Sequence, residues 1–381
     1  MKVPLASPQV FEEDIAAVAA VLRSTRISNG PAVEEFESAL SAYLGVSDAV
    51  VVNSGTSALQ LAIRVLNVGN GDEVILPSFS FMAVTNAVLA ERAIPVFCDI
   101  DPLTCNMDPS KLESIVSDKT KAIIIVNSFG FPAASSDIVE FAKRYSLAII
   151  DDACEALGTE VNNRKAGTYG DAGVFAFYPN KVITTGEGGA LVTRSSDAGT
   201  RLRSLRNQGR RSGDWLQHAE PGFSYRLSDI NCALGLAQLG RIEQILCRRE
   251  ELARSYERRL RNNPALQSFR FPAGDVRISW FTYPVLLKEQ FHRNDRDRIW
   301  RELRKREIEC GRYFAPSHLQ PALNRVASRS GDLAHTLHVS ERLLCLPLFD
   351  SLTEEQIEFV CDWLNELVSE PLCKAAHPNV S

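Results

Sequence analysis

Seven short apolar runs between Ala49 and Thr193 restrict this chain's fold more than any other feature. They cover 49–52, 73–76, 94–98, 122–126, 147–150, 174–177 and 190–193, and show almost no polar alternation. A strand that is apolar on both faces must be covered on both faces, which calls for a mostly parallel sheet between layers of helix. The stretches near 56–68, 81–92, 110–117 and 136–146 have the spacing of amphipathic helices and supply that cover. Ligands of such sheets sit beyond the carboxyl ends of the strands, so the residues that follow each run are the ones to read for chemistry.

The first run leads into Asn53-Ser54-Gly55-Thr56-Ser57-Ala58-Leu59. A small-residue turn opening a helix offers free N–H groups and a favourable dipole to an anion, with Thr56 and Ser57 hydroxyls as further donors. The same residues also make an ordinary helix N-cap, and no GK[ST] follows, so this is not a P-loop. The second run leads to Phe81, which can lie flat against a ring or simply pack in a core. The fifth ends in Asp151-Asp152-Ala153-Cys154-Glu155. Two carboxylates at the tip of a buried strand are costly unless they cap, pair or bind. One can cap the next segment and the other can hold a cationic ring nitrogen, with small Ala153 leaving room for a ring face. Between the last two runs lies Tyr178-Pro179-Asn180-Lys181, followed by glycines 186, 188 and 189. A loop lysine is by default a solvated charge, but one fixed between two strands suits work on a bound carbonyl. Anion site, aromatic platform, carboxylate and amine together meet the needs of pyridoxal phosphate.

The remaining segments frame that sheet. Helical spacing covers 11–24, whose apolar face is Phe11, Ile15, Val18, Val21 and Leu22, and 32–44. After a helix at 195–205 comes a polar, Arg-rich loop at 206–215, then a long helix to about Leu260 that suits a bridge between domains. A strand at 278–287, a helix at 293–307, a helix-to-strand transition at 339–346 and a helix at 353–368 give a smaller α+β domain. The expected division is 1–245 and 246–381, with a disordered tail from Pro371. A net charge of -5 gives no field for nucleic acid, and no apolar run is long enough to span a membrane. The N-terminus lacks the apolar centre of a signal peptide, and nine cysteines without CxxC spacing read as reduced thiols of a cytoplasmic protein. The six histidines do not cluster, so no metal is expected.

From about Val3 to Leu367 the chain resembles the DegT/DnrJ/EryC1/StrS family of sugar aminotransferases. The resemblance rests on Ser28-Asn29-Gly30-Pro31, Ser54-Gly55-Thr56-Ser57-Ala58-Leu59, Gly71-Asp72-Glu73-Val74-Ile75 and Asp151-Asp152-Ala153-Cys154-Glu155-Ala156-Leu157-Gly158. It rests equally on Phe177-Tyr178-Pro179-Asn180-Lys181 with Gly186-Glu187-Gly188-Gly189, on Tyr225-Arg226-Leu227-Ser228-Asp229 and on His318-Leu319-Gln320-Pro321. It implies the aspartate-aminotransferase fold (fold type I), with a seven-stranded, mostly parallel sheet in a large domain and a smaller C-terminal α+β domain. It implies that Lys181 bonds covalently to pyridoxal 5'-phosphate, that Asp152 pairs with the ring nitrogen, and that Phe81 stacks on the ring. Gly55, Thr56 and Ser57 would hold the phosphate and Ala153 would border the ring. Active sites would be shared across a homodimer. Ser224 would reach the partner's cofactor phosphate and Arg226 would bind the amino donor's carboxylate. Ser28, Gly30, Glu155 and His318 would face substrate, with Arg210 and Arg211 as further contacts to nucleotide phosphates. Two departures stand out: Ser224 replaces a usual Asn, and Ala176 replaces a usual Ser near the phosphate.

The expected reaction is transfer of an amino group, with glutamate as donor, to a keto group of a nucleotide-linked keto-deoxy sugar. Alternatives are a cyclitol aminotransferase of the inosose type, a dehydratase using the same cofactor, and a non-catalytic regulator. Retention of Lys181 favours transamination, since the dehydrating branch of the family carries histidine there.

Overall fold

The computed structural model describes residues 1–210 and 216–372, so Arg211 and the tail from 373 lie outside the described residues. The chain begins with α1 (Glu12–Arg23) and α2 (Pro31–Leu44). It then alternates β1 (Asp48–Val52), α3 (Gly55–Val65), β2 (Glu73–Pro77), α4 (Met82–Ala90), β3 (Ile94–Cys98), β4 (Thr120–Val126), α5 (Ser136–Tyr145) and β5 (Ala148–Asp152). A small ribbon, β6 (Glu160–Val161) and β7 (Arg164–Lys165), precedes β8 (Ala172–Ala176) and β9 (Gly189–Thr193). Next come α6 (Ser196–Arg206), α7 (Asp229–Leu239) and α8 (Ile242–Leu260). The C-terminal part holds β10 (Leu266–Gln267), β11 (Val276–Arg277), β12 (Tyr283–Leu287), α9 (Arg293–Lys305), β13 (Arg329–Ser330), α10 (Ala334–Ser340), β14 (Leu343–Leu346) and α11 (Glu354–Ser369).

The seven expected strands all form, but the sheet has eight, in the order β1-β9-β8-β5-β4-β2-β3-β13. The addition, β13, is a two-residue edge strand from the C-terminal part that pairs in parallel with β3. It is too short to leave a periodic signal. Strand β9 runs against both its neighbours, and the other pairings are parallel. Side chains alternate between the two faces of the sheet: Val50 and Val52 of β1 share one core with Ile124 of β4, while Ala49 and Val51 enter a second core and Ile123 and Ile125 a third. This double coverage is why the runs are apolar without alternation.

Three expectations change. The stretch near 110–117 is a 3-10 turn over Pro109–Ser114. The long bridging helix is two helices, interrupted after Leu239, where Gly240 is the C-cap of α7. Its second half still spans two cores, packing Ile245 and Leu246 against the main sheet and Leu252, Tyr256 and Leu260 in the C-terminal core. The strand expected at 278–287 starts only at Tyr283, because Trp280 adopts φ 51°, outside the extended region. No helix among the described residues is long and apolar enough to cross a membrane.

Helix α1 follows its expected pattern only in part. Phe11 at its N-cap and Ile15 and Leu22 within it are exposed, while the buried residue is Asp14, which pairs with Arg241 Nη2 at 2.5 Å and Nη1 at 2.6 Å. The rest of the expected apolar face is half-buried: Val18 is partly covered and Val21 packs against the core beside α2 and α7.

Candidate active site

Strands β1, β2, β4, β5 and β8 end on one rim of the sheet, and β9 begins there because it runs the other way. A cleft of about 340 Å³ opens at that rim. Its walls are the start of α3 (Ser54, Gly55, Thr56), Phe81, Asn127, the end of β5 (Asp152, Cys154, Glu155), the β8–β9 loop (Asn180, Lys181, Glu187) and Phe281, Tyr313 and Phe314 from the C-terminal part. The loop reaches this place because β9 starts hard against the turn after β1: a Cβ on Gly189 would lie 2.5 Å from the Ser54 carbonyl carbon. Similarly, a Cβ on Gly55 would lie 2.8 Å from Ala176 Cβ and 3.2 Å from Cys154 Sγ. Only glycine lets these backbones meet.

The two adjacent aspartates divide their work. Asp151 Oδ2 accepts the N–H groups of Gly167 (2.8 Å) and Tyr169 (3.1 Å), and its Oδ1 accepts Asn127 Nδ2 (2.8 Å). Full burial nevertheless raises its pKa from 3.8 to about 6. Asp152 lies on the other face of the strand and lines the cleft, its Oδ1 accepting the Cys154 N–H at 3.0 Å. Burial raises its pKa as well, opposed by hydrogen bonding from Cys154 and the charge on Lys181. Lys181 Nζ is 3.4 Å from Glu155 Oε1 and 4.2 Å from the centre of the Phe281 ring. Glu155 is anchored by the Phe129 N–H (2.9 Å), and burial pushes its carboxyl above the usual range.

Gly55, Thr56, Phe81, Asp152, Glu155 and Lys181 all line this cleft. Ser57 does not: it is buried, and its hydroxyl meets Ser54 Oγ at 2.9 Å. Ala153 also faces away, into the core between the sheet and α2, because strand alternation turns it opposite to Asp152, and Cys154 takes the place beside the cleft. His318 does not line the cleft. Its Nδ1 lies 2.6 Å from the buried Ser78 Oγ, in the same clasp where Ser317 Oγ donates to Ser80 O, so it braces the loop that carries Phe81. Desolvation lowers its pKa.

A second group gathers at the start of α7. Ser28 bridges to Ser228, the Gly30 N–H donates to Asp229 Oδ2 (2.8 Å), Ser224 is exposed, and Arg226 Nη1 donates to Asn207 Oδ1 (3.0 Å). None of these borders the cleft of its own chain. Arg210 at the edge of the described loop forms a bridge with His218.

Sequence reasoning missed Ser54, Asn127, Cys154, Glu187, Phe281, Tyr313 and Phe314 as cleft residues. Ser54 carried a signal, since it stands at the N-cap of α3, where its Oγ accepts the Ser57 N–H. Phe281, Tyr313 and Phe314 carried none, because only the packing of the C-terminal part against the rim brings them there.

This donor set fits pyridoxal phosphate: a helix N-terminus for an anion, a buried carboxylate for a pyridinium, an exposed aromatic face and one amine in a cleft of suitable size. The sequence pattern of the DegT/DnrJ/EryC1/StrS aminotransferase family matches residues 8–365. GDP-perosamine synthase of Caulobacter vibrioides is 35% identical over 368 residues, covering 96% of this chain and 98% of that protein. The structure of Helicobacter pylori PseC, an aminotransferase involved in the biosynthesis of pseudoaminic acid, superposes with a TM-score of 0.90 at 30% identity, covering 97% of this chain and 99% of that one. DesV of S. venezuelae, solved in complex with a ketimine intermediate, gives a TM-score of 0.90 at 33% identity, covering 97% and 99%.

Proposed function

This chain belongs to the DegT/DnrJ/EryC1/StrS aminotransferase family and is a pyridoxal-phosphate-dependent sugar aminotransferase, and from that premise we propose its substrates and residue roles. The amino group comes from glutamate and goes to the keto group of a nucleotide-linked keto-deoxy sugar, for glycan or secondary-metabolite synthesis. The relative that makes GDP-perosamine supports a nucleotide-linked acceptor.

When bound, pyridoxal phosphate supplies a carbonyl carbon that takes up the amino group and a ring that accepts the electron pair released at the donor's Cα. The residues around it do the rest. Lys181 holds the cofactor and, once freed, carries the proton between donor and cofactor carbons. Asp152 holds a proton on the ring nitrogen. Its burial makes the bare carboxylate costly, so a cation opposite it is strongly favoured. Gly55 and Thr56 at the N-terminus of α3 bind the phosphate, with Ser57 acting through Ser54. Ala176 adds no hydroxyl there. Phe81 covers one ring face, and Glu155 faces the sugar.

The enzyme works as a homodimer in the cytoplasm. Support for the dimer comes from Phe11, Ile15 and Leu22, exposed by 46–58% along α1, and from Phe81, exposed by 66% at the cleft mouth. Support for shared sites comes from the second group of residues. Ser28, Gly30, Ser224 and Arg226 do not line the cleft of their own chain that holds Lys181, and a neighbour's cleft is their place of action.

The observation that carries the reading is that Lys181 and Asp152 line one and the same cleft. Purified protein is expected to be yellow, and Lys181→Ala to lose both that absorbance and turnover; normal turnover in the variant would remove Lys181 from the reaction. Treating the enzyme with glutamate, then adding keto-sugar nucleotides one at a time, tests the acceptor. Return of the absorbance with a free inosose and with no nucleotide sugar would refute the nucleotide-linked acceptor.

A further inference from the structure

Two residues beside the cleft hold left-handed backbone that bulky side chains avoid: Phe129 (φ 63°) and Trp280 (φ 51°). Both bear on Lys181. The Phe129 N–H fixes Glu155 Oε2 (2.9 Å), and its carbonyl accepts the Phe281 N–H (3.1 Å). Glu155 and the Phe281 ring both touch Lys181 Nζ. Phe281 points there only because the chain turns at Trp280.

That turn is held from α8. Arg249 is 5% exposed, and its Nη1 donates to the Trp280 carbonyl at 2.9 Å, while its Nε lies 3.1 Å from Asp350 Oδ1. The adjacent Glu250 accepts Trp280 Nε1 at 2.6 Å, so backbone and indole are both pinned by one turn of helix. A guanidinium is planar and rigid, so it can hold a carbonyl by one N–H while its charge stays beside a carboxylate; an ammonium is a compact point charge with rotatable donors and does not reproduce that fixed geometry. Arg249 and Asp350 also wall a small cavity beneath Pro179, Asn180 and Lys181.

We propose that Arg249, neutralised by Asp350, is a positioning residue for Lys181, acting through Trp280 and the Phe281 ring. It sets how readily the amine captures pyridoxal phosphate, without contributing to binding of the phosphate or the ring. This rests on the reading that Lys181 is the cofactor-bearing amine.

The test separates capture from binding. Holoenzyme is stripped and reloaded, and the covalent Lys181 adduct is trapped by borohydride against time, while pyridoxamine phosphate, which forms no bond to lysine, reports binding alone. Arg249→Met and Arg249→Lys are expected to slow capture about 10- to 100-fold. Their pyridoxamine phosphate Kd should stay within about twofold of wild type. Arg248→Met is the matched control. Arg248 Nε and Nη2 donate to the carbonyls of Asp350 and Leu352 but not to Trp280, so its loss should leave capture at the wild-type rate. Wild-type capture in Arg249→Lys, or loss of pyridoxamine phosphate affinity in step with capture, would overturn the proposal. If Arg249→Met does not fold, Arg249→Lys and Asp350→Asn decide by the same criterion. Lys181→Ala must abolish the adduct; an adduct that persists there would refute the assignment of the amine rather than the role of Arg249.

Discussion

Replacing Asp151 by Asn tests whether the division between the paired aspartates has been read correctly. The carboxyl is fully buried, and burial raises its pKa from 3.8 to about 6, an effect that three hydrogen-bond donors reduce without cancelling. A folded-state pKa above the unfolded value means that the folded protein binds the extra proton between those two pH values. Stability from this group is therefore greatest below pH 4, falls as pH rises to about 6, and is level above that. A shift of about two units at about 1.4 kcal/mol each gives a fall of about 3 kcal/mol across the window. The amide of the Asp151→Asn variant cannot titrate, so the stability difference between wild type and variant should shrink by about that amount from pH 4 to pH 7. Taking the difference cancels the other carboxylates common to both proteins. The assay is urea unfolding of the holoenzymes followed by tryptophan fluorescence at half-unit pH steps. Parallel profiles would refute the reasoning and show that the donors, not burial, govern this carboxylate. A difference that grows with pH would mean its pKa is lowered.

Gly55→Ala should weaken pyridoxal phosphate binding about tenfold or more and also cost about 1–3 kcal/mol of stability, because the new methyl meets Ala176 and Cys154 at the helix start; titration of the apoenzyme and chemical unfolding check the two effects. Asp14→Ala should cost about 2–4 kcal/mol by chemical unfolding, since it strands Arg241 in a partly buried position, and Asp14→Ala with Arg241→Met should recover part of that loss.

The sheet was readable because its signal is redundant. Every residue of a strand such as 122–126 faces one core or another, so a single run carries the whole message. Lys181 and Phe81 were readable because they follow such strands directly. The choice between Asp151 and Asp152 was not readable from composition, as both are acids at one strand tip; the alternation of the strand decides it, together with the N–H groups of Gly167 and Tyr169 that wait on one side. Ala153 was misplaced for the same reason. The break at Gly240 was concealed by apolar spacing that continues across it, and Phe281 depends on a backbone angle at Trp280 that no local pattern announces. Helix α1 shows a different limit: its apolar spacing does not separate Val18 and Val21, which are half-buried, from Phe11, Ile15 and Leu22, which stay exposed.

The single strand that runs against the sheet, β9, has one more consequence. Had it followed its neighbours' direction, the chain leaving β8 would have needed a long crossover to the opposite rim, and Lys181 would have sat on a longer, looser connection. Instead the loop between Ala176 and Gly189 is a span with footings in two adjacent, mutually bonded rails, Gly173 to Val192 and Ala176 to Gly189. A short loop between paired strands has less slack than a long crossover, so added or deleted residues at 178–188 should be the least tolerated length changes around the rim.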